Sequence, residues 1–206
     1  GGDSSDVSAD ISSDVSQIFA NGYAFAALKD DGSVITWGYE YLGGDSSDIA
    51  EELSSNVSQV FANRSAFAAL KDDGSVITWG SESRGGDSSE VAADLSSGVS
   101  QISGTAGAFA ALKDDGSVIT WGNGSYGSDS SSVDLSSGVS QIIAHEAAFA
   151  ALKDDGSVIT WGANGGNQYK ATRPEDVAAD LSSGVSQIFA NKVAFAALKD
   201  DGSVIT

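Results

Sequence analysis

The chain has a single histidine, His145, and the next residue is Glu146. An imidazole beside a carboxylate is a common starting point for general-base chemistry, but such a base needs a nucleophile to act on and a partner that fixes its tautomer. No second imidazole exists, no Cys is present, and no Gly-x-Ser-x-Gly elbow occurs among the many serines. Thiolate nucleophiles, disulfides, two-histidine metal sites and Cys-ligated zinc or iron-sulfur centres are therefore excluded. His145 with Glu146 reads as a polar loop pair.

Two further patterns invite a chemical reading. Asp30-Asp31, Asp72-Asp73, Asp114-Asp115, Asp154-Asp155 and Asp200-Asp201 each precede a Gly. Calcium loops space their ligands alternately, whereas these pairs are adjacent, so they read as turn chemistry that also keeps like units soluble and apart. Gly43-Gly44-Asp45-Ser46-Ser47 and its copies lack the Lys of a phosphate loop and read as turns capped by Asp or Ser. No catalytic residue, metal ligand or cofactor is assigned, and the chain is expected not to be an enzyme.

Composition agrees with that expectation. The 206 residues include 10 Lys plus Arg and 29 Asp plus Glu, for a formal charge of −19, with 25 Gly and an apolar fraction of 41%. Such a charge repels phosphate backbones and anionic membrane surfaces, and no apolar run is long enough to span a bilayer, so neither nucleic-acid binding nor membrane insertion is expected. The many Gly and modest apolar content favour a turn-rich β protein over a helical one. A chain without Met that opens Gly1-Gly2 is expected to be processed or excerpted from a longer one.

What must position any site is a repeat. ALKDDGSVIT begins at Ala27, Ala69, Ala111, Ala151 and Ala197, at spacings of 42, 42, 40 and 46. Five units, 1–42, 43–84, 85–126, 127–170 and 171–206, account for the whole chain as a single repeat domain. In the first, Val15 to Ala20 and Ala24 to Lys29 are short apolar runs. The second leads through Asp30-Asp31-Gly32 into the β-branched and aromatic run Ser33 to Gly38. Asp-Gly between two such runs predicts a hairpin, so each copy holds a hairpin and one preceding strand.

A fourth element, Asp6 to Ser12 and equivalents such as Glu90 to Ser96, fits a strand or a helical turn. In copy four Val133 and Leu135 stand two apart, which keeps both on one face only in a strand; a short outer strand is expected, with a single helical turn as the alternative. Apolar residues fall on both faces, as with Phe25 and Leu28. Four short strands about every 42 residues, buried on both faces and closed by Trp-Gly, predict an all-β fold: a β-propeller of five repeats, either a five-bladed ring or part of a larger one. The last copy stops before the place of its Trp-Gly, and the N-terminal segment Asp6 to Ser12 is expected to complete it by ring closure.

Val15 and Ile18, Ala27-Leu28, Asp31-Gly32, Val34 and Trp37-Gly38, repeated in register, resemble the repeat of the regulator of chromosome condensation family in a short, divergent, bacterial-type version. The resemblance covers every copy and implies propeller blades. Asn21 and Ala24 stand where that family has Gly-x-x-His, and Gly43-Gly44-Asp45-Ser46 where it has Gly-Gln-Leu-Gly; its units are longer and usually seven. Nucleotide exchange on a small GTPase is not carried over.

Where near-identical copies differ, the scaffold is indifferent to the side chain. Two segments per copy differ almost completely: the residues joining strands one and two, and those after Trp-Gly. They fill less than a fifth of the chain yet hold all five Tyr, the only His, the only Pro and half the basic residues. Tyr and Arg with adaptable Asn and Gly are the composition of binding surfaces. Candidate ligand-binding residues are Asn21, Tyr23, Tyr39, Glu40, Tyr41, Asn63, Arg64, Glu82, Arg84, Asn123, Tyr126, His145, Glu146, Asn164, Tyr169, Asn191 and Lys192. Both segments are expected on one face of the fold, forming a recognition module for a protein or a glycan; neutral drift of unpacked loops, a structural or spacer array, and self-association are the other readings.

Overall fold

The computed structural model describes residues 2–162 and 179–206. Fifteen strands form five antiparallel sheets of three, each in sequence order, and no α-helix occurs among the described residues. The strands are β1 (Val15–Ala20), β2 (Ala24–Lys29) and β3 (Val34–Gly38) in copy one, and β4 (Val57–Ala62), β5 (Ala66–Lys71) and β6 (Val76–Gly80) in copy two. Copy three has β7 (Val99–Gly104), β8 (Ala108–Lys113) and β9 (Val118–Gly122). Copy four has β10 (Val139–Ala144), β11 (Ala148–Lys153) and β12 (Val158–Gly162), and copy five β13 (Val185–Ala190), β14 (Phe195–Lys199) and β15 (Val204–Ile205). Two compact units, Gly1–Val99 and Ser100–Thr206, make up the chain.

The hairpin turn has three residues. Lys29 and Ser33 face each other, Gly32 N–H donates to Lys29 O (3.0 Å), and Gly32 takes φ 77°, the left-handed position that closes such a loop. Asp31 Oδ1 accepts from both the amide and the hydroxyl of Ser33 at 2.9 and 2.6 Å, the local Asp turn that the repeated Asp-Asp-Gly-Ser encodes. At the same end of the sheet, β1 pairs Val15 with Lys29 and Gln17 with Leu28, so Ser16 is an extra residue in the strand. Its Oγ donates to Leu28 O at 3.0 Å, and Ser58, Ser140 and Ser186 repeat this bulge and bond.

Among the described residues the expected outer strand is absent, each sheet has three strands rather than four, and the alternative of a helical turn holds. The segment instead folds as 3₁₀ turns, Ser5–Val7, Ser47–Ile49, Glu52–Ser54 and Ser89–Val91. The reason is the polar sequence before it. Asp3, Asp45 and Asp87 accept from the amides of Ser5, Ser47 and Ser89 at 2.8–3.0 Å, starting a turn where a strand would need extended backbone. The segment is then held from both sides: Val76 N–H donates to Leu95 O at 2.9 Å, and Lys71 Nζ donates to Glu52 O at 2.8 Å, as Lys29 does to Asp10 O and Lys199 to Asp180 O.

Within each unit the core lies between successive sheets. Ala24, Ala26, Leu28 and Val34 on one face of copy one pack with Leu53, Val57, Val60, Phe67, Ala69 and Trp79 of copy two. In the second unit the matching residues Ala108, Ala110, Leu112 and Val118 pack with Leu135, Val139, Ile142, Phe149, Ala151 and Trp161. Alanines let the sheets approach while the Phe–Trp pair fills the space beside them; Phe67 and Phe149 are fully buried and stack on Trp79 and Trp161 at 5.2 and 5.3 Å. The turn of one copy is tied to the next as well, since Val57 N–H donates to Gly32 O and Val185 N–H to Gly156 O at 3.0 and 2.9 Å.

Candidate functional site

Strand order sends the Asp-Asp-Gly turn to one end of each sheet and both variable segments to the other. Within copy one the two segments are joined directly. Tyr39 N–H donates to Tyr23 O (3.1 Å), and Asn21 Nδ2 donates to Leu42 O (2.7 Å). Copy two repeats the arrangement with Ser81 N–H on Ser65 O (2.9 Å) and Asn63 Nδ2 on Arg84 O (2.6 Å). The expectation that the two segments share one face holds for these copies.

Each first segment is a short turn closed by its first side chain. Asn21 Oδ1 accepts from the amides of Tyr23 and Ala24 at 2.7 and 2.8 Å, and Asn63 Oδ1 from those of Ser65 and Ala66 at 2.9 and 2.8 Å. Thr105 Oγ1 takes the same place in copy three, accepting from Gly107 and Ala108 and donating to Tyr126 O at 2.9 Å. Asn191 serves Val193 and Ala194. His145 does the same work in copy four: its Nδ1 accepts from Ala147 N–H at 3.1 Å, so the proton of the neutral ring is on Nε2. Its ring lies 4.6 Å from that of Phe195, and burial there holds its pKa below the ordinary 6.5 despite the opposing charge of Glu146.

The candidates therefore separate. Asn21, Asn63, His145 and Asn191 spend their acceptors on their own turns. Asn123 Oδ1 caps the following 3₁₀ turn by accepting from Ser125 N–H (3.0 Å), and Tyr126 packs against the core cluster of the second unit. The sequence did carry a signal for the first group, because every copy places a side chain with an acceptor three residues before the first Ala of the second strand run: Asn21, Asn63, Thr105, His145 and Asn191. Asn164 and Tyr169 lie outside the described residues.

What remains exposed in the first unit is Tyr23, Tyr39, Glu40, Tyr41, Arg64 and Glu82, while Arg84 is half-buried. Tyr23, Tyr39 and Tyr41 leave 45%, 55% and 70% of their surface open to solvent, and the last two are the most exposed aromatic residues among those described. Tyr39 and Tyr41 meet edge to face at 6.0 Å. They sit on a rigid base: the 3₁₀ turn Glu40–Leu42 ends at Gly43 with φ 102°, where a Cβ would lie 2.6 Å from the Phe67 ring, and Thr36 Oγ1 donates to Gly44 O beyond it. Glu40 hydrogen-bonds the Tyr41 hydroxyl and pushes its pKa above the ordinary 10.0. Gly22 N–H donates to Arg64 O (3.1 Å), which sets the first segment of copy two beside that of copy one. In the second unit the same backbone step joins Ala106 to Glu146 and Glu146 to Lys192, and Lys192 Nζ lies 3.7 Å from the Glu146 carboxylate.

Solved structures are similar in fold. Human WBSCR16 superposes with a TM-score of 0.58 at 20% identity, covering 92% of this chain and 60% of its own. Yeast RCC1 (Prp20), in its complex with Kap60, gives 0.58 at 19% identity over 92% of this chain and 55% of its own. The ectodomain of the Arabidopsis thaliana receptor kinase ACR4 gives 0.55 at 17% over 89% and 60%. The sheets are β-propeller blades. Identities this low speak to fold alone, and this chain spans only about half to three fifths of those proteins. No family model and no curated protein matches the sequence.

Proposed function

We propose that the chain is a non-enzymatic recognition module, and that Tyr23, Tyr39, Tyr41 and Arg64 form the centre of its binding face. The observation that carries this reading is the exposure of three tyrosines on two segments locked together by backbone hydrogen bonds. Exposed aromatic rings on a mobile loop lose ordering entropy when they bind, whereas rings on a preformed base do not. Tyr supplies apolar area together with a hydroxyl, and Arg64 supplies a fork of donors for carboxylate or carbonyl acceptors. The ligand class is a protein or a glycan. A protein is favoured by the fold neighbour Prp20, whose structure was solved with Kap60 bound.

The test is the simultaneous change of Tyr23, Tyr39, Tyr41 and Arg64 to Ala. All four are exposed, so the blades keep their melting temperature. Arrayed proteins and arrayed glycans are probed with labelled wild type and variant; the variant loses the wild type's positive spots at least tenfold in apparent affinity. A wild type that binds nothing on either array, or a variant that binds every spot equally well, overturns the reading in favour of a spacer array.

A further inference from the structure

Within each unit, the middle residues of successive first segments are joined by one backbone step, so the side chains at that step can be compared. In the second unit Glu146 N–H donates to Lys192 O at 3.2 Å, and their side chains form an ion pair at 3.7 Å. In the first unit Gly22 N–H donates to Arg64 O at 3.1 Å, so Gly22 stands where Glu146 stands and Arg64 where Lys192 stands. The cation is kept and the carboxylate is not. A Cβ built on Gly22 would lie 3.8 Å from Arg64 Cγ, which sets the Arg64 stem beside the bare glycine. Arg64 is exposed, and among the described residues no carboxylate lies within ion-pair distance of it. That isolation stands out, because residues 1–99 hold 17 Asp and Glu against 4 Lys and Arg, and Lys29 and Lys71 are already tied to backbone carbonyls.

We infer that Arg64 receives an Asp or Glu carboxylate from a partner protein, at the step that Glu146 fills from within the chain in the second unit. The inference rests on the recognition reading above and names the group that the partner presents to that face. A guanidinium offers paired N–H donors to both oxygens of a carboxylate, a match that the single ammonium of Lys192 does not provide. Tyr23 follows Gly22 and its carbonyl accepts from Tyr39 N–H, so the tyrosines border the same position and offer ring surface to the residues beside the partner's carboxylate. A protein is favoured over an acidic glycan because the internal example, Glu146, is an amino-acid side chain on a turn. The charge of −19 repels a uniformly acidic chain, so the carboxylate stands in a neutral or basic stretch of the partner.

The experiment is a peptide array in which Glu, Asp, Gln, Asn or Lys occupies the centre of shared flanking sequences, printed beside uronic-acid glycans. It is probed with labelled wild type, Arg64→Gln, Gly22→Glu and Gly22→Gln. The wild type prefers Glu and Asp spots over the matched Gln and Asn spots by about fivefold, the scale of one exposed ion pair. Arg64→Gln loses that preference and keeps its binding to neutral spots through the tyrosines. Gly22→Glu loses it as well, because a carboxylate from within the chain now occupies the guanidinium, whereas Gly22→Gln, equal in size and uncharged, keeps it. A second readout needs no partner: the carboxyl introduced by Gly22→Glu titrates in NMR below the ordinary Glu value of about 4.3, and adding Arg64→Gln returns it there. A wild type that binds Gln spots as well as Glu spots, or acidic glycans in place of acidic peptides, overturns the inference and leaves the recognition reading standing. A wild type that binds no spot overturns both. An introduced carboxyl that titrates at the ordinary value overturns the pairing of position 22 with Arg64, and the inference with it.

Discussion

Replacing Asn63 by Ala tests whether the variable face stands on a hydrogen-bonded base. Asn63 is 7% exposed and satisfies three backbone groups: it accepts from Ser65 and Ala66 N–H and donates to Arg84 O. Ser65 and Ala66 are themselves buried at 5% and 0%, so water cannot replace the lost acceptor without opening the turn. Orphaning one buried polar group costs about 1–3 kcal/mol, and partial relaxation of the exposed side of the loop brings the three together to about 2–4 kcal/mol. Asn63→Thr is the informative partner, because Thr105 performs both functions at the same position of copy three; its cost is about 1 kcal/mol or less. Asn63→Asp keeps the acceptor, loses the donor and sets a carboxylate against Arg84 O, so it falls near Ala. Urea denaturation read at the midpoint with unchanged slope gives the ranking, and hydrogen exchange at Ser65 and Ala66 locates it. Should Ala match wild type within about 0.5 kcal/mol, or Thr fare no better than Ala, the turn is not held by this side chain and the preformed base fails with it.

Three further outcomes follow from the same geometry. Gly43→Ala forces a Cβ to 2.6 Å from the Phe67 ring at φ 102° and destabilises the first unit, whereas Gly2→Ala, with nothing within 4 Å, is silent in the same thermal melt. His145 has a folded pKa lowered by burial, so its contribution is complete above 6.5 and is lost as pH falls from there through the folded value, because the unfolded chain takes up the proton first; His145→Asn keeps the turn acceptor and removes this part of the difference between melts at pH 7.5 and 5.5, and an unaltered difference refutes the assignment. Asp31, Asp73, Asp115, Asp155 and Asp201 are held below 3.8 chiefly by the Ser two residues on, so the stability they add is present above 3.8 and lost as pH falls below it; Ser33→Ala returns the Asp31 carboxyl resonance in NMR towards a midpoint of 3.8 while Asp73 stays put.

How far the sequence could be read depended on which atoms each element uses. Strands β1 and β2 were legible to the residue, since their bounds are set where an apolar run meets a turn side chain. Apolar spacing in the outer segment fits a strand or a helical turn, and it favours the strand where the structure has the turn. Val133 and Leu135 satisfy a strand pattern, but the deciding atoms are polar: Asp129 Oδ1 accepts from Ser131 N–H and Asp134 Oδ1 from Ser136 N–H, a local bonding preference that defeats extension. The bulge at Ser16 was invisible for a related reason, as a residue that is identical in all five copies offers no contrast by which to see its role.

Contrast between copies was the argument for a binding face, and the structure divides what it can carry. Asn21, Asn63, Thr105, His145 and Asn191 differ in name while serving one turn, so variation at that position reflects several side chains that each offer an acceptor at the right reach. Variation at Tyr23, Tyr39, Tyr41 and Arg64 has no such common duty, because among the described residues no backbone group is hydrogen-bonded by those side chains. A position that varies within a hydrogen-bonding class is held by the scaffold; one that varies across classes while staying exposed is open to a partner. By that criterion the proposed face narrows from seventeen candidates to the tyrosines and their charged neighbours, and the quadruple replacement tests it without touching the Asn clamps beneath.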